Sequence, residues 1–170
     1  DFLRKVVRNE EIELGEKVAI VGGGNTAMDA CRTAVRLGAK EVYNIYRRTK
    51  DEMPADMVEI EEAEEEGVIF KNLTNPIEVV ADENGHVKEV VLQVMELGEP
   101  DASGRRSPVE IEGAIEIIDV DMAIVAVGVS PNPLVPTSVK GLELGRKNTI
   151  AVNDKMQSNI PTIFAGGDIV

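Results

Sequence analysis

The hydrophobic positions of the first part of the chain follow helical and strand-like periods in turn. Residues 1–11 place apolar side chains at helical spacing and predict a short helix, which ends before Gly15. Residues 17–21 form a compact apolar run before three glycines, which is typical of a buried parallel strand. Residues 25–37 carry apolar side chains on one helical face, and residues 41–46 form the next strand. Strand, glycine turn, helix and strand within about 30 residues predict a βαβ unit.

The later part of the chain changes to strand-like runs. Pro54 suits the first turn of a second helix, which we expect to run through Glu66 and to end at Gly67, before a strand at 68–70. Residues 77–80, 87–95 and 109–118 then predict an antiparallel meander. A buried parallel strand is expected at 122–128, a loop at 129–149, and short strands at 150–152 and 162–165. The pattern predicts an α/β fold: a three-layer, Rossmann-like dinucleotide-binding domain with a parallel central sheet and an antiparallel three-stranded β-meander.

The turn after the first predicted strand carries the candidate chemistry. Residues 22–27 read Gly-Gly-Gly-Asn-Thr-Ala and fit the pattern G-x-G-x-x-A. Gly22 permits the tight turn, Gly24 lets a pyrophosphate approach the backbone, and Ala27 lets helix and strand pack closely. The helix that follows offers its N-terminal N–H groups to phosphate. An ordinary glycine-rich turn that binds nothing is the alternative, and the strand before and the helix after favour the dinucleotide.

The end of the second predicted strand distinguishes NADP from NAD. An NAD site usually has Asp or Glu about 20 residues beyond the glycines, where it binds the ribose 2′-hydroxyl. This chain has Arg47 and Arg48 there, and the first carboxylate, Asp51, comes later. Guanidinium groups bind phosphate with two hydrogen bonds and can stack on adenine. We therefore expect NADP(H), although a solvated basic loop is the competing interpretation.

Composition narrows the class of protein. The chain has 170 residues, 43% of them hydrophobic, and a net charge of -13, which argues against a nucleic-acid partner. Its one cysteine excludes a disulfide or an iron–sulfur cluster formed by this chain alone, and we expect no metal site. No apolar run approaches the roughly 18 residues of a membrane span, so we expect a cytoplasmic protein. The end of the sequence, Gly-Gly-Asp-Ile-Val, resembles an interruption within a longer protein.

Three other features favour structural roles. Cys31 lies on the apolar face of the first long helix and is expected to be a buried hydrophobic residue. His86 follows a predicted turn and is expected to be exposed. Residues 59–66 include six glutamates, for which a solvated helix face with like-charge repulsion is favoured over metal binding or a basic partner.

Several motifs together resemble one family. The chain resembles the NADPH-binding domain of the glutamate synthase small (beta) subunit family, which includes the related part of dihydropyrimidine dehydrogenase and the NADPH-binding subunits of electron-bifurcating transhydrogenases. The resemblance covers nearly the whole chain. It is carried by segments 18–29, 46–49, 52–55, 125–132 and 161–168.

The resemblance implies more than the spacing does. In such flavoproteins an FAD domain is interrupted by an NADPH domain, NADPH gives hydride to FAD, and electrons leave through iron–sulfur clusters. The turn Gly22, Gly23, Gly24, Asn25 and Thr26 would hold the pyrophosphate. Arg47 and Arg48 would hold the 2′-phosphate and adenine. By position, the nicotinamide ribose would lie near Ala126, Val127 and Gly128, and the FAD would contact Gly167 and Asp168.

The resemblance also implies a domain organisation. Residues 16–149 would be the NADPH-binding domain, and residues 1–15 and 150–170 would be linkers or stubs of an FAD domain. No second glycine motif for FAD and no cluster cysteines are present in this sequence. The chain would then bind NADPH and catalyse nothing by itself, and its partners would be the FAD and iron–sulfur domains of the parent protein, with a glutamate synthase large subunit as a further candidate. The alternative is a stand-alone NADP(H)-binding or redox-sensing module, and a self-contained dehydrogenase ranks last.

Overall fold

The computed structural model describes residues 1–100, 106–128, 132–145, 148–167 and 169–170. Its contacts divide the chain into two units, Asp1–Gly128 and Val129–Val170. The helices are α1 (Phe2–Val7), α2 (Asn25–Arg36), α3 (Met57–Glu65) and α4 (Leu134–Ser138), with a 3₁₀ helix at Lys50–Glu52. The strands are β1 (Lys17–Val21), β2 (Glu41–Tyr46), β3 (Ile69–Asn72), β4 (Thr74–Ala81), β5 (Val87–Pro100), β6 (Arg106–Asp119) and β7 (Met122–Val125).

The first unit contains two sheets, as the sequence predicts. A parallel sheet has the strand order β3-β2-β1-β7, and an antiparallel meander has the order β4-β5-β6. Val21 pairs with Ile45 on one side and with Val125 on the other, so the carboxyl ends of β1, β2 and β7 meet at one edge. The predicted fold class is therefore confirmed.

The two faces of β1 explain the apolar run 18–21 that makes up most of the strand. Val18 and Ile20 face the helices and pack in one core cluster with residues of α2 and α3. Ala19 faces the other way and packs with Val90 and Leu92 of the meander. Because successive strand residues point to opposite faces, a strand covered on both faces favours apolar residues at consecutive positions. The meander thus forms the third layer of the first unit.

The second predicted helix begins later than expected. Pro54 does not open it, because α3 starts at Met57 and residues Met53 and Asp56 have extended backbone conformations. The residue before a proline is biased towards extended conformations, and the backbone N–H groups of Ala55 and Asp56 bond to the glycine turn instead of to a helix. Gly67 does end the helical segment, with a φ of +97°.

Strand predictions fail at the end of the chain. β7 ends at Val125 rather than at residue 128, and it is half-buried instead of buried, since β1 is its one partner among the described strands. The expected strands at 150–152 and 162–165 are wrong, because each run makes a single isolated bridge, Leu144 with Ile150 and Gln157 with Phe164. A short apolar run becomes a strand only where a neighbour supplies a ladder of hydrogen bonds. The domain boundaries expected from the resemblance stay a prediction.

Candidate functional site

The glycine turn that follows β1 is shaped by close packing at its first two residues. Gly22 has a φ of +145°, and a Cβ there would lie 2.3 Å from the carbonyl oxygen of Ala126. A Cβ on Gly23 would lie 2.5 Å from the ring of Tyr46. The Gly22 N–H donates to the carbonyl of Ile45 at 3.0 Å, which ties the turn to β2. Glycine is therefore required at both positions by the protein itself.

Gly24 has no such requirement within the chain. Its backbone is extended, with φ of -96° and ψ of 173°, which any residue can adopt. The nearest described atom to an added Cβ would be Cγ of Pro54, at 4.0 Å. We call the open space beside Gly24, at the start of α2, the cradle. An added Cβ would enter it, and without a side chain at Gly24 a phosphate group can approach the backbone there.

Helix α2 begins at this cradle without a side-chain cap. Gly24 is the N-cap, and its carbonyl accepts from the N–H of Ala27 at 2.8 Å and of Met28 at 3.2 Å. Asn25 and Thr26 are exposed and precede these first helical bonds. Their N–H groups therefore belong to the set that a helix cannot satisfy internally, and the dipole of the 12-residue helix favours an anion there.

The side-chain amide of Asn44, which the sequence analysis did not identify, donates a hydrogen bond to the glycine turn. Asn44 of β2 is fully buried, and its Nδ2 donates to the carbonyl of Gly22 at 2.9 Å. The same amide nitrogen lies 3.7 Å from Sγ of Cys31, while Oδ1 of Asn44 is buried without a partner among the described atoms. The sequence signal that could have pointed to this contact is Asn44 itself, a polar residue among the apolar and aromatic residues of the run 42–46.

Cys31 is buried, as predicted, and burial raises the pKa of its thiol to about 12, against a smaller lowering by the hydrogen bond from Asn44. The thiol therefore stays protonated at neutral pH. A protonated, buried thiol is a poor nucleophile, which agrees with a packing role.

The basic segment after β2 is ordered by its neighbours. The hydroxyl of Tyr46 donates to the carbonyl of Glu52 at 2.9 Å. Thr49 and Glu52 form a capping box, in which the Thr49 N–H donates to the Glu52 carboxylate at 3.1 Å. The T-x-x-E pattern of this box was readable in the sequence and was missed. It holds the backbone of residues 49–52 in a defined shape.

The structure assigns different surroundings to the basic side chains of this segment. Arg47 is exposed and has no hydrogen-bond or ion-pair partner among the described residues. Arg48 is half-buried, and its Nε donates to the backbone carbonyl of Arg106 at 2.8 Å. Lys50 pairs with Glu64 and lies 5.2 Å from the ring centre of Phe70. Within the described part of the chain, Arg47 is therefore the guanidinium of this segment whose donors no neighbour occupies.

The residues after β7 reach the same edge of the sheet. The N–H of Ala126 donates to the carbonyl of Val21 at 2.7 Å, and its own carbonyl is the atom that excludes a side chain from Gly22. Val127 is 70% exposed, and Gly128 has a φ of +91°. The structure thus brings the glycine turn and residues 126–128 together, and parallel pairing places Arg47 and Arg48 at the same edge.

The two residues predicted to contact FAD come after the end of the first unit in the sequence. Gly167 lies in the second unit, with a φ of +78°. Asp168 lies outside the described residues. Their roles stay predictions.

The glutamate-rich helix corrects one expectation. Arg32 of α2, whose side chain is 15% exposed, pairs with Glu59, Glu62 and Glu66 at 2.5–2.9 Å. Arg36 also bonds to Glu66 and, with Arg32, holds the pKa of that carboxyl below its usual value. One helix face therefore docks on α2 through ion pairs, where like-charge repulsion was expected.

Other chemistry finds little support in the described part of the chain. It contains no group of three or more His, Cys, Asp and Glu side chains arranged to hold a metal. None of its helices is long and apolar enough to cross a membrane. His86 is exposed, as predicted, beside Asp82.

A parallel sheet with a glycine turn between its first strand and an exposed helix N-terminus defines a Rossmann-like dinucleotide-binding domain. The chain belongs to the pyridine nucleotide-disulphide oxidoreductase family, whose model matches residues 2–170.

Curated relatives confirm the resemblance to glutamate synthase small subunits. The chain is 40% identical, over 92% of its length, to the small chain of glutamate synthase [NADPH] from Escherichia coli. It is 45% identical over 92% of its length to the beta subunit of NADP(+)-dependent formate dehydrogenase from Moorella thermoacetica. It is 43% identical over 88% of its length to the beta subunit of NADPH-Fe(3+) oxidoreductase from Geobacter sulfurreducens. The chain spans 34%, 22% and 22% of these relatives, respectively.

Solved structures show the same fold at lower identity. Lactococcus lactis thioredoxin reductase matches 97% of this chain with a TM-score of 0.72 and 21% identity, over 48% of its own chain. Thioredoxin reductase from T. acidophilum matches 90% with a TM-score of 0.70 and 19% identity, over 44% of its own chain.

Proposed function

We propose that this chain is the NADPH-binding domain of a flavin-dependent oxidoreductase related to the glutamate synthase small subunit. The observation that carries the proposal is the cradle above Gly24. Packing within the protein accounts for Gly22 and Gly23. At Gly24 no contact among the described residues excludes a side chain, and an N-cap position would accept Ser, Asn or Asp at least as well as glycine, so neither explains the absence of a side chain there. A phosphate group that approaches the backbone accounts for it, and the N–H groups of Asn25 and Thr26 would receive that phosphate.

The preference for NADPH over NADH rests on the segment after β2. Arg47 has no partner among the described residues and would bind the 2′-phosphate. Arg48, held by the carbonyl of Arg106, would contribute its remaining donors or stack on adenine. Glu52, a carboxylate near this position, is engaged by Thr49 and is therefore a poor candidate for the ribose hydroxyls of NADH.

The residues after β7, which lie at the same sheet edge as the glycine turn, support a role for the domain within a larger protein. Residues Ala126, Val127 and Gly128 would lie along the nicotinamide ribose. Bound NADPH would supply a hydride for an FAD held by other parts of the parent protein, and the task of this chain is to bind and orient. Gly167 and Asp168 would belong to the FAD side.

The names of the relatives support this assignment, since the three described above all use NADP(H). The chain covers a minor part of each, which supports a domain within a longer protein, for which we propose a cytoplasmic location. The FAD domain, an iron–sulfur domain and a glutamate synthase large subunit are the proposed partners. A longer reading frame with an FAD glycine motif before Asp1 would support this organisation, and a stop codon after Val170 would favour a stand-alone NADP(H)-binding or redox-sensing module.

Titration calorimetry with NADPH and NADH tests the cofactor assignment. The purified chain should bind NADPH more tightly, because only NADPH carries the 2′-phosphate. Arg47→Ala should weaken NADPH binding about 10- to 100-fold, the worth of one hydrogen bond to a charged group, and leave NADH binding unchanged.

Arg8→Ala is the matched control, since Arg8 is an exposed arginine beside Glu10 at the end of α1. It should leave the affinity for both nucleotides unaltered. Equal affinities of the wild-type chain for NADPH and NADH, or an unchanged preference in Arg47→Ala, would overturn the arginine assignment.

A further inference from the structure

The segment between the 3₁₀ helix and α3 is bonded to the glycine turn at three points. The N–H of Ala55 donates to the carbonyl of Gly23 at 3.0 Å. The N–H of Asp56 donates to Oδ1 of Asn25 at 2.8 Å, and Nδ2 of Asn25 donates to Oδ2 of Asp56 at 3.0 Å. Asp56 therefore holds both the acceptor and the donor of the Asn25 amide.

The Asp56 side chain is not used where its position in α3 would suggest. Asp56 is the N-cap residue of α3, yet its carboxylate accepts no hydrogen bond from the backbone of that helix. The contact that it does make is across the sequence, to the first residue of α2. The carboxylate thus supports the glycine turn rather than its own helix.

We propose that Asp56 is a positioning residue for the pyrophosphate-binding turn, acting through the Asn25 side chain. Asparagine side chains readily accept hydrogen bonds from nearby backbone N–H groups. A released Asn25 amide would compete for the N–H groups at the start of α2, which the phosphate needs. The inference rests on the proposed function and extends it to a residue outside the glycine motif.

Two substitutions at Asp56 that remove the same negative charge distinguish its hydrogen bond to Asn25 from its electrostatic effect on a bound phosphate. Asp56→Ala removes the acceptor and the charge, whereas Asp56→Asn removes the charge and keeps an oxygen that can accept from Asn25. The N–H of residue 56 is present in both. Any relief of repulsion between a carboxylate and phosphate is common to the pair, so their difference reports the hydrogen bond.

Comparing the binding of two ligands distinguishes an effect on the glycine turn from a general loss of structure. NADP⁺ contains the pyrophosphate, and adenosine 2′-monophosphate contains the 2′-phosphate and adenine without it. Measured by calorimetry, Asp56→Ala should bind NADP⁺ about tenfold more weakly than Asp56→Asn, with equal affinities for adenosine 2′-monophosphate. In an Asn25→Ala background, Asp56→Ala should cause no additional loss.

Each contrary result has a distinct meaning. Equal NADP⁺ affinities of the two Asp56 variants, or a parallel loss for both ligands, would overturn the positioning role while leaving the proposed function intact. Additive losses in the Asn25→Ala background would show that Asp56 does not act through Asn25. If the wild-type chain binds neither ligand, the proposed function fails and this inference falls with it. Should Asp56→Ala fail to fold, Asp56→Gly provides the ligand comparison, because it also releases the Asn25 amide and glycine is well tolerated at the N-cap of α3.

Discussion

A methyl group added at Gly24 should separate binding from stability. Gly24 has a backbone that alanine can adopt, and the nearest described atom to the new Cβ is 4.0 Å away. Alanine is a poorer N-cap than glycine by about 0.5–1 kcal/mol. A stiffer unfolded chain offsets this by about 0.4–1 kcal/mol. The free energy of unfolding of Gly24→Ala should therefore lie within about 1 kcal/mol of the wild-type value.

The effect of the same substitution on binding should be large. The Cβ would enter the space through which a phosphate reaches the N–H groups of α2. Loss of two hydrogen bonds to a charged phosphate, each about 1.5–3 kcal/mol, corresponds to more than a hundredfold in affinity for NADPH. Adenosine 2′-monophosphate lacks the pyrophosphate and should bind to the variant as it binds to the wild-type chain.

Gly22→Ala is the informative comparison. The φ of +145° and the 2.3 Å approach to the Ala126 carbonyl should cost about 1–3 kcal/mol or more in the free energy of unfolding. Urea unfolding followed by circular dichroism gives stability, and titration calorimetry gives affinity. Wild-type affinity of Gly24→Ala for NADPH, or a destabilisation as large as that of Gly22→Ala, would refute the assignment of Gly24 to phosphate binding.

Two further predictions concern the core beneath the site. Arg32→Ala should lower the urea midpoint more than Arg36→Ala, because Arg32 joins three glutamates and is 15% exposed while Arg36 is 62% exposed. Equal midpoints of the two variants would show that the additional pairs of Arg32, with Glu59 and Glu62, add nothing to the docking of α3. Cys31 should resist a thiol reagent at pH 8 in the folded chain and react in urea, since burial raises its pKa to about 12. Because the pKa of this thiol is raised in the folded state, the thiol does not change the free energy of unfolding below pH 9 and lowers it as the pH rises from 9 towards 12. Cys31→Ala should therefore reduce the fall in the free energy of unfolding over this pH range.

Local pattern was sufficient for the βαβ unit. The apolar run of β1, the three glycines and the amphipathic α2 lie next to one another in the chain, so their spacing alone predicted the turn and its elements. The three glycines looked equivalent in sequence, however. Only the positions of Ala126 and Tyr46 show that two of them serve packing and that Gly24 does not.

Contacts between distant residues account for what the sequence did not reveal. Asp56 lies 31 residues from Asn25, and Arg48 meets the carbonyl of Arg106 from 58 residues away. Neither contact follows a helical or strand period, so no local pattern could predict it. The glutamate run illustrates the same point, since its charges look repulsive until α2 brings Arg32 against them.

The sequence by itself determined the class of site, because a tight turn, a close backbone approach and a helix N-terminus each require particular residues at adjacent positions. The tertiary structure decided which side chains are available at that site. Arg47 is unpartnered among the described residues, Lys50 is committed to Glu64, and Asn25 is held by Asp56. The physical reason is that hydrogen-bonding capacity is shared among all neighbours in space, and those neighbours are set by the packing of strands and helices rather than by order along the chain.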